Sequence, residues 1–343
     1  MSNSINLNKA HKVKNDEFYT KLTDIEKELM HYKEMFVGKT IYCNCDNPTK
    51  SNFVKWFYRR FYMLHLKRLI VTAYNKDGFG LYWDTDFSKL DIKTIYINDW
   101  IENDVRYLSG NGDFRSDECI ELLKQADIVV TNPPFSLFRE YVKVLMNNNK
   151  EFLIIGNMNA LKYKEVFPYI KNNKIGLGFT NGGKSFIIPN GEEKTVNICW
   201  YTTFPISKHN EELILFRKYT PEAYPKYDNY DAINVDKLCD IPEDYDGVIG
   251  VPISFLDKYN PQQFEILGQT SGRFEFGIGP TLKYESPIGH NANGSICNGS
   301  KINTNACFLH PDKPVDRLYY TASNRTGYIQ QLYTRILIRK IKP

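Results

Sequence analysis

The sequence predicts an α/β fold built on a doubly wound sheet, and two observations lead to that prediction. Short apolar runs rich in β-branched residues stand at Thr40–Cys43, Leu69–Ala73 and Ile128–Val130, as is typical of strands buried on both faces of a parallel sheet. Segments with helical spacing separate these runs, so strand and helix alternate along the chain. Loops that leave such strands gather at the carboxyl edge of the sheet, where ligands bind.

Length and composition allow one large α/β domain and a smaller one. The chain has 343 residues, 42% of them apolar, and its mean hydropathy of -0.45 with no long apolar run argues against a membrane span. Residues 1–15 are polar and lack the apolar segment of a secretory signal, so we expect a flexible arm on a cytoplasmic protein. The seven cysteines form no disulfide framework, and no pattern has zinc spacing, so no metal site is predicted.

The charge of the chain is unevenly distributed. The net charge is only +4, but residues 1–68 hold 13 of the 44 Lys/Arg and only 7 of the 40 Asp/Glu. A basic segment of this kind can face a phosphate backbone or can form a solvated helical surface. Charge alone does not decide between the two.

The first part of the chain carries an aromatic helix entry and a polar loop. Asp16–Thr20 leads into a helix, for which Thr23 is the expected N-cap. The first strand is followed by the polar segment 44–51, where a cofactor loop belongs in this fold. Nucleotide-binding folds often place a glycine in that loop, but none occurs between Lys39 and Asp77.

The second strand, Leu69–Ala73, is expected to end near a carboxylate that binds a ribose. That acid is missing or displaced to Asp77, and residues 78–104 form a strand-rich insertion. The tight turn Gly110–Phe114 follows. Its Asp113 can accept a hydrogen bond from an amino group while Phe114 covers a ring, or the segment can be an Asx turn before a helix.

The segment 127–141 carries the most specific chemistry. Its strand ends at two prolines, which lack an N–H and fix their own φ. Asn132 offers a side-chain carbonyl and Pro133 a fixed backbone carbonyl, so two acceptors can hold both hydrogens of an amino group. Pro134 keeps the loop rigid, and Phe135 offers a face on which a planar base can stack. Ser136 is the expected N-cap of the next helix. The alternative is an ordinary Asn-Pro turn.

Four segments together resemble the EcoRI-type adenine-specific DNA methyltransferases, which use S-adenosylmethionine. The resemblance runs from about residue 11 to residue 268 and is carried by Asp16–Thr20, Tyr42–Asp46, Gly112–Ser116 and Thr131–Glu140. It implies a seven-stranded, Rossmann-like methyltransferase sheet with a C-terminal target-recognition region.

The resemblance also assigns roles to residues. The catalytic residues would be Asn132, Pro133, Pro134 and Phe135. The methionine part of the cofactor would lie under Phe18, Tyr19 and Thr20. The adenine of the cofactor would contact Asp113 and Phe114. The loop after the first strand would contribute Cys45 and Asp46, with Asp46 facing the ribose or the ammonium.

The implied reaction is methyl transfer to N6 of an adenine flipped out of duplex DNA. The enzyme would modify DNA in a restriction–modification system, with a possible nuclease partner acting separately, and would be a monomer. A cytosine-ring methyltransferase needs a Pro-Cys nucleophile, which the sequence lacks. Methylation of an amine or amide in RNA or protein remains an alternative, as does a DNA-binding relative without catalysis.

The predicted catalytic domain comprises residues 16–205, and residues 206–343 form the predicted target-recognition region. Within the latter, Gly289–Asn305 is rich in Gly, Asn and Ser and is either a surface loop or a loop that reads a DNA groove. The last stretch, Tyr333–Lys342, alternates apolar and basic residues, as is typical of an edge strand. That strand can return to the core of the catalytic domain.

Overall fold

The computed structural model describes residues 20–88, 104–187, 193–271 and 277–341. The predicted N-terminal arm, together with Phe18 and Tyr19, lies outside these residues. The chain divides into two compact units, Met1–Val166 with Lys174–Pro205, and Phe167–Asn173 with Ile206–Pro343. Within the described part of the chain, none of the helices has the length and apolar character needed to cross a membrane.

A nine-stranded mixed sheet forms the centre of the first unit. Its strands in spatial order are β4-β3-β2-β1-β5-β6-β9-β7, and β8 pairs with β9. Their bounds in chain order are β1 Thr40–Cys43, β2 Arg68–Ala73, β3 Leu81–Asp86, β4 Arg106–Tyr107, β5 Ile128–Thr131, β6 Glu151–Asn157, β7 Gly176–Leu177, β8 Gly182–Ile187 and β9 Glu193–Thr202.

Four adjacent strands, β2, β1, β5 and β6, are parallel and form the buried middle of this sheet. Ile41 pairs with Leu69 on one side and with Ile128 on the other, and β5 pairs with β6 in the same direction. The next strand after β1, β2, pairs on one side of β1, and β5, later in the chain, pairs on the other side. The point between β1 and β5 is therefore a topological switch point, where a crevice opens at the carboxyl ends of the strands.

The outer strands of this sheet are antiparallel. β3 forms a hairpin with β2, and β9 pairs with β6, β7 and β8. The α/β class with parallel core strands and an antiparallel hairpin near its end is confirmed. The sheet has nine strands in the described residues, two more than the predicted seven. The predicted insertion contributes β3, and β4 follows directly after it.

Five α-helices occur in the described residues. They are α1 Leu22–Leu29, α2 Asn52–Arg59, α3 Asp117–Gln125, α4 Phe138–Asn147 and α5 Phe167–Lys171. Ser51 and Ser116 cap α2 and α3 by accepting backbone N–H bonds. The predicted caps at Thr23 and Ser136 are wrong. Thr23 lies within the first turn of α1, and Ser136 lies within a 3-10 turn, Phe135–Leu137, that precedes α4.

Aromatic side chains from α2 and from the 3-10 segment Met30–Phe36 form much of the core beside the sheet. Phe36 contacts the edge of Phe57 at 5.2 Å and that of Trp56 at 6.1 Å. Burying such large rings supplies much of the stability of the unit. The buried Glu28 carboxylate of α1 accepts hydrogen bonds from the backbone N–H groups of Phe179 and Thr180 at 2.7 and 2.6 Å. Because these two residues lie between β7 and β8, the bonds hold α1 against the sheet.

The second unit contains α5 and two further sheets. A four-stranded sheet has the order β10-β11-β18-β12, and a five-stranded sheet has the order β14-β13-β16-β17-β15. The bounds are β10 Ile233–Asn234, β11 Ile249–Pro252, β12 Phe264–Gln269, β13 Ile288–His290, β14 Ile296–Asn298, β15 Cys307–His310, β16 Tyr319–Ala322, β17 Arg325–Gln331 and β18 Arg335–Lys340.

Two predictions about this unit are corrected by its topology. β18 pairs with β11 on one side and β12 on the other, so it is an interior strand and not an edge strand, and the sheet that it joins is the four-stranded one. Its centre, Ile336–Ile338, is fully buried. The segment 289–305 is not a plain loop either, because β13 and β14 form a hairpin there and a 3-10 turn, Ser300–Asn303, follows.

Candidate active site

The Asn-Pro-Pro-Phe segment lies at the carboxyl end of β5, beside the switch point. Asn132 is half-buried and Pro133 is buried. The two prolines stop the ladder of β5, and the chain then turns through the 3-10 segment Phe135–Leu137 into α4. The structure thus places the predicted catalytic loop in the crevice of the parallel sheet. Its catalytic role stays a prediction.

Asp46 joins the ends of β1 and β5 to the start of α2. Its Oδ1 accepts a hydrogen bond from Ser51 Oγ and its Oδ2 accepts one from Thr131 Oγ1, both at 2.5 Å. The backbone N–H of Asp46 donates to the carbonyl of Thr72 in β2 at 3.0 Å. Burial raises the pKa of Asp46 to about 6, although the two hydroxyl bonds oppose this shift. One carboxylate therefore connects both sides of the switch point.

Thr20 is the one residue of the predicted Phe18–Thr20 segment that lies within the described chain. It is buried, and its carbonyl accepts a bond from Asn52 Nδ2 at 2.8 Å, which ties the helix entry to α2. Asn132 Nδ2 lies 3.4 Å from Thr20 Oγ1. The amide NH₂ of Asn132 is thus turned towards Thr20, and its amide oxygen is shielded from solvent.

Tyr141 connects α4 to the end of β1 through a polar contact that was not predicted. Its hydroxyl donates to Asn44 Oδ1, while its ring meets Phe114 edge to face at 5.0 Å. Burial raises the pKa of Tyr141 far above its usual range, so the hydroxyl stays a neutral donor. The polar tip of a buried tyrosine needs a partner. Asn44 and Tyr141 are 97 residues apart, so no local pattern in the sequence connects them.

Asp113 is bound by its neighbour Arg115, whose Nη2 lies 2.6 Å from Oδ2 and whose Nε lies 2.9 Å from Oδ1. These bonds lower the pKa of the Asp113 carboxyl. Oδ1 also accepts the backbone N–H of Arg115 at 2.9 Å, which is the Asx turn that stood as the alternative. Phe114 is buried next to it. The adenine-binding role of this pair stays a prediction.

Two glycines bring backbone segments into close approach at the carboxyl end of β2. A Cβ on Gly112 would lie 2.5 Å from the carbonyl oxygen of Ala73, and one on Gly80 would lie 2.7 Å from Cα of Gly112. Gly112 also has a φ of +79°, which side chains disfavour. The loop after β1 lacks a glycine, but two neighbouring segments each hold one where backbone must pass closely. Asp77 is exposed, and β2 runs into the exposed Tyr74 and not into an acid.

Two further predicted site residues have limited freedom. Phe135 is half-buried and meets Phe186 edge to face at 6.4 Å, so part of its ring already packs on the core. Burial raises the pKa of the Cys45 thiol, which keeps it protonated. In the described part of the chain, no group of three His, Cys, Asp or Glu side chains has the geometry to bind a metal ion.

The fold and site define a class of protein. A crevice at the switch point of a parallel sheet holds a buried carboxylate, and the loop after the adjacent strand presents two carbonyl acceptors and an aromatic ring. That arrangement is suited to an enzyme that binds a nucleoside cofactor and acts on an amino nitrogen.

Comparison with known proteins identifies the family. The family model described as "Adenine-specific methyltransferase EcoRI" matches residues 6–341. The chain is 48% identical over 291 residues to Type II methyltransferase M.EcoRI of Escherichia coli, a match that covers 76% of this chain and 88% of that protein. No solved structure matches. The chain belongs to the EcoRI family of adenine-specific methyltransferases.

Two mycoplasma proteins are also similar. The chain is 40% identical over 281 residues to Type II methyltransferase M.MgeORF184P of Mycoplasma genitalium and 36% identical over 281 residues to Type II methyltransferase M.MpnI of Mycoplasma pneumoniae. Each match covers 76% of this chain and 84% of the relative.

S-adenosylmethionine is the methyl donor of this family, and the crevice fits its chemistry. The donor carries an ammonium and a sulfonium, and the buried carboxylate of Asp46 supplies a negative charge at the switch point. It has no phosphate, and the loop after β1 correspondingly has no phosphate-binding glycine turn.

Proposed function

We propose that this protein methylates N6 of adenine at a specific sequence in double-stranded DNA, as the modification enzyme of a type II restriction–modification system. Membership of the EcoRI family supports the reaction and the names of the similar proteins support the type II system. The observation that carries the proposal is the position of Asn132–Phe135 at the carboxyl end of β5, beside the switch point.

The chemistry depends on two acceptors. The lone pair of an adenine amino group is delocalised into the ring, so the nitrogen is a weak nucleophile. Asn132 Oδ1 and the carbonyl of Pro133 accept its two hydrogens, which returns electron density to the nitrogen and orients it. When bound, S-adenosylmethionine supplies an electrophilic methyl group on its sulfonium. Pro134 limits the movement of the loop because its ring fixes φ.

The target nitrogen is inaccessible within stacked duplex DNA, so the adenine is turned out of the helix. The part of the Phe135 ring that does not pack on Phe186 stacks on the extruded base. Cofactor binding is assigned to Asp46 and Cys45 after β1, to Thr20 with Phe18 and Tyr19, and to Asp113 with Phe114. Asp46 faces the ammonium, and Phe114 lies against the adenine of the cofactor.

Three finer assignments belong to the same proposal. The nine-stranded sheet is a doubly wound methyltransferase sheet, enlarged by the β3–β4 insertion. Residues 206–343 recognise the DNA sequence, because a small-molecule enzyme has no need of two additional sheets. The protein acts as a monomer in the cytoplasm, with any nuclease partner separate.

The decisive experiment is transfer of labelled methyl from S-adenosylmethionine to unmethylated genomic DNA by wild type, Asn132→Ala and Asn147→Ala. Asn147 is exposed at the end of α4 and serves as the matched control. We expect N6-methyladenine in DNA with wild type and control, and a loss of at least about 10²-fold with Asn132→Ala, since an oriented acceptor at a reacting group has an effect of this size. Cofactor binding by calorimetry should survive in all three.

Other outcomes identify the alternatives. Label in RNA or protein would keep the amine chemistry and reject the DNA substrate. DNA binding without any label, and without cofactor binding, would mean a DNA-binding relative without catalysis.

A further inference from the structure

An arginine at the start of α4 forms a contact that the reaction described above does not use. The guanidinium carbon of Arg139 lies 4.1 Å from the centre of the Tyr163 ring, and its Nε lies 3.8 Å from Oε2 of Glu165. The Arg139 side chain is still 53% exposed. The guanidinium is thus held over the face of a ring at the protein surface.

This contact lies at the same edge of the sheet as the catalytic loop. Arg139 stands in the first turn of α4, immediately after the 3-10 turn that follows the Asn-Pro-Pro-Phe segment. Tyr163 follows the 3-10 segment Met158–Lys162, which leaves the carboxyl end of β6. Because β5 and β6 are adjacent and parallel, the segments after both strands meet at one edge, and the Arg139–Tyr163 stack connects them.

The geometry leaves the guanidinium available to an anion. Contact with the ring face limits the movement of the guanidinium, whose planar fork of N–H donors matches the geometry of a phosphate. A separation of 3.8 Å is too long for a hydrogen bond to Glu165, and in the described residues the structure gives the Nη groups of Arg139 no hydrogen-bond partner. A planar fork held in this way is suited to two parallel bonds to a phosphate.

The charges around the stack are mixed. Lys162 and Lys164 add positive charge on the segment that carries Tyr163, and Glu165 and Glu140 oppose it. Lys164 Nζ lies 3.8 Å from Glu165 Oε1, so Glu165 is shared between two cations. The local balance favours one anion of limited charge over an extended polyanionic surface.

We propose that Arg139, braced by Tyr163, binds a backbone phosphate next to the adenine that enters the catalytic loop. This inference rests on the proposed DNA substrate. Arg139 is a positioning residue for the methylated nucleotide, because it holds the backbone from which the base is extruded and takes no part in the transfer itself. The ring of Tyr163, and not its hydroxyl, holds the Arg139 guanidinium in position.

The test compares Arg139→Ala with Lys143→Ala, whose exposed side chain lies one helical turn further along α4. The probe is a short duplex carrying the recognition site mapped by methyl labelling, with 2-aminopurine at the target adenine. For Arg139→Ala, the slope of log affinity against log salt should become shallower by about 0.9, the value of one lost phosphate contact. The KM for DNA should rise about tenfold, 2-aminopurine fluorescence should fall, and cofactor affinity should not change. Lys143→Ala should match wild type.

A second pair of variants tests the role of the ring. Tyr163→Phe should retain the wild-type salt slope, and Tyr163→Ala should move it part of the way towards Arg139→Ala. An unchanged salt slope in Arg139→Ala, or a loss of cofactor affinity instead, would overturn the inference while leaving methyl transfer to DNA established by the wild type. A wild type that binds the cofactor but neither binds nor labels DNA would reject the proposed function and this inference with it.

Discussion

Asp46 shows how one side chain can hold a site together. Its carboxylate bonds to Ser51, the cap of α2, and to Thr131, the last residue of β5. The residue before Asn132 is therefore fixed relative to the loop after β1. In the proposed function Asp46 attracts a cationic cofactor, and its state of protonation decides whether its negative charge is present.

Cofactor affinity should depend on pH through Asp46. Its pKa is raised to about 6 by burial, so lowering the pH through 6 protonates it and removes the negative charge. We expect the affinity for S-adenosylmethionine to be constant above this pH and to fall by about tenfold for each unit below it, since only the ionised form binds strongly. Calorimetry between about pH 5 and pH 8 measures this dependence of the cofactor affinity on pH.

Asp46→Asn is the control for this dependence. It retains one amide oxygen as an acceptor but cannot ionise, so it should bind the cofactor weakly at every pH. A variant that still shows the fall in affinity below pH 6 would assign the titration to another group.

Tyr141 allows a test of the link between α4 and β1. In Tyr141→Phe the buried Oδ1 of Asn44 loses its hydroxyl donor, and an unsatisfied buried acceptor costs about 1–3 kcal/mol. The free energy of unfolding, measured in urea, should fall by that amount. Tyr333→Phe is the matched control because Tyr333 is 92% exposed, and an equal loss there would contradict the assigned cause.

At this scale the sequence predicted residues for the site but not the contacts that join them. Asn132–Phe135 and Asp46 were predicted because they closely follow strands. The contacts of Thr131 and Tyr141 were missed because their partners, Asp46 and Asn44, are 85 and 97 residues away in the chain. Asp113 was assigned to a ligand, although the adjacent Arg115 already binds both of its oxygens.

Among the elements, the glycine loop over the end of β2 makes the sharpest prediction. Gly112→Ala places a Cβ against the carbonyl of Ala73 in a positive-φ conformation. The conformation alone costs about 1–2 kcal/mol, and the contact adds to this, so we expect unfolding free energy to fall by at least about 2 kcal/mol.

Gly110→Ala is the comparison for that loop. A Cβ there would come no closer than 3.9 Å to Glu118 Oε2, and the φ of Gly110 is not positive. Urea unfolding and cofactor calorimetry on both variants should separate them clearly. Equal stability of the two would mean that the loop has room that the structure does not show.

Strands were predicted more accurately than their partners. The bounds of β1 were correct, and those of β2 and β5 were within one residue, because β-branched runs mark buried strands locally. The interior position of β18 was not predicted because its basic flanks, Arg335 and Arg339, are typical of an edge. The position of a strand in its sheet depends on partner strands that are distant in the chain, and a local sequence pattern carries no information about them.

The two predicted helix caps were wrong for different reasons. The helix α1 begins without a side-chain cap, so Thr23 has no capping role, and Ser136 lies in a 3-10 turn that precedes α4.

For the whole molecule, we expect a monomer in solution. Methyl transfer to one strand needs one copy of the site, and each residue assigned to it lies in the first unit of a single chain. Light scattering should give a mass near 40.0 kDa. A mass near twice that value, independent of salt and concentration, would contradict the prediction.

The position of β18 in its sheet has a consequence for how the protein is made. On the ribosome, all strands of the nine-stranded sheet have been synthesised once the chain reaches Thr202. The strands β11 and β12 are made before β18, the strand that pairs with both of them. Domains fold as they are made, beginning with the N-terminal one. The part of the chain that carries the catalytic loop can therefore fold first, and the four-stranded sheet is completed last. A message cut short before β18 would yield chains with exposed strand edges, which chaperones and proteases recognise.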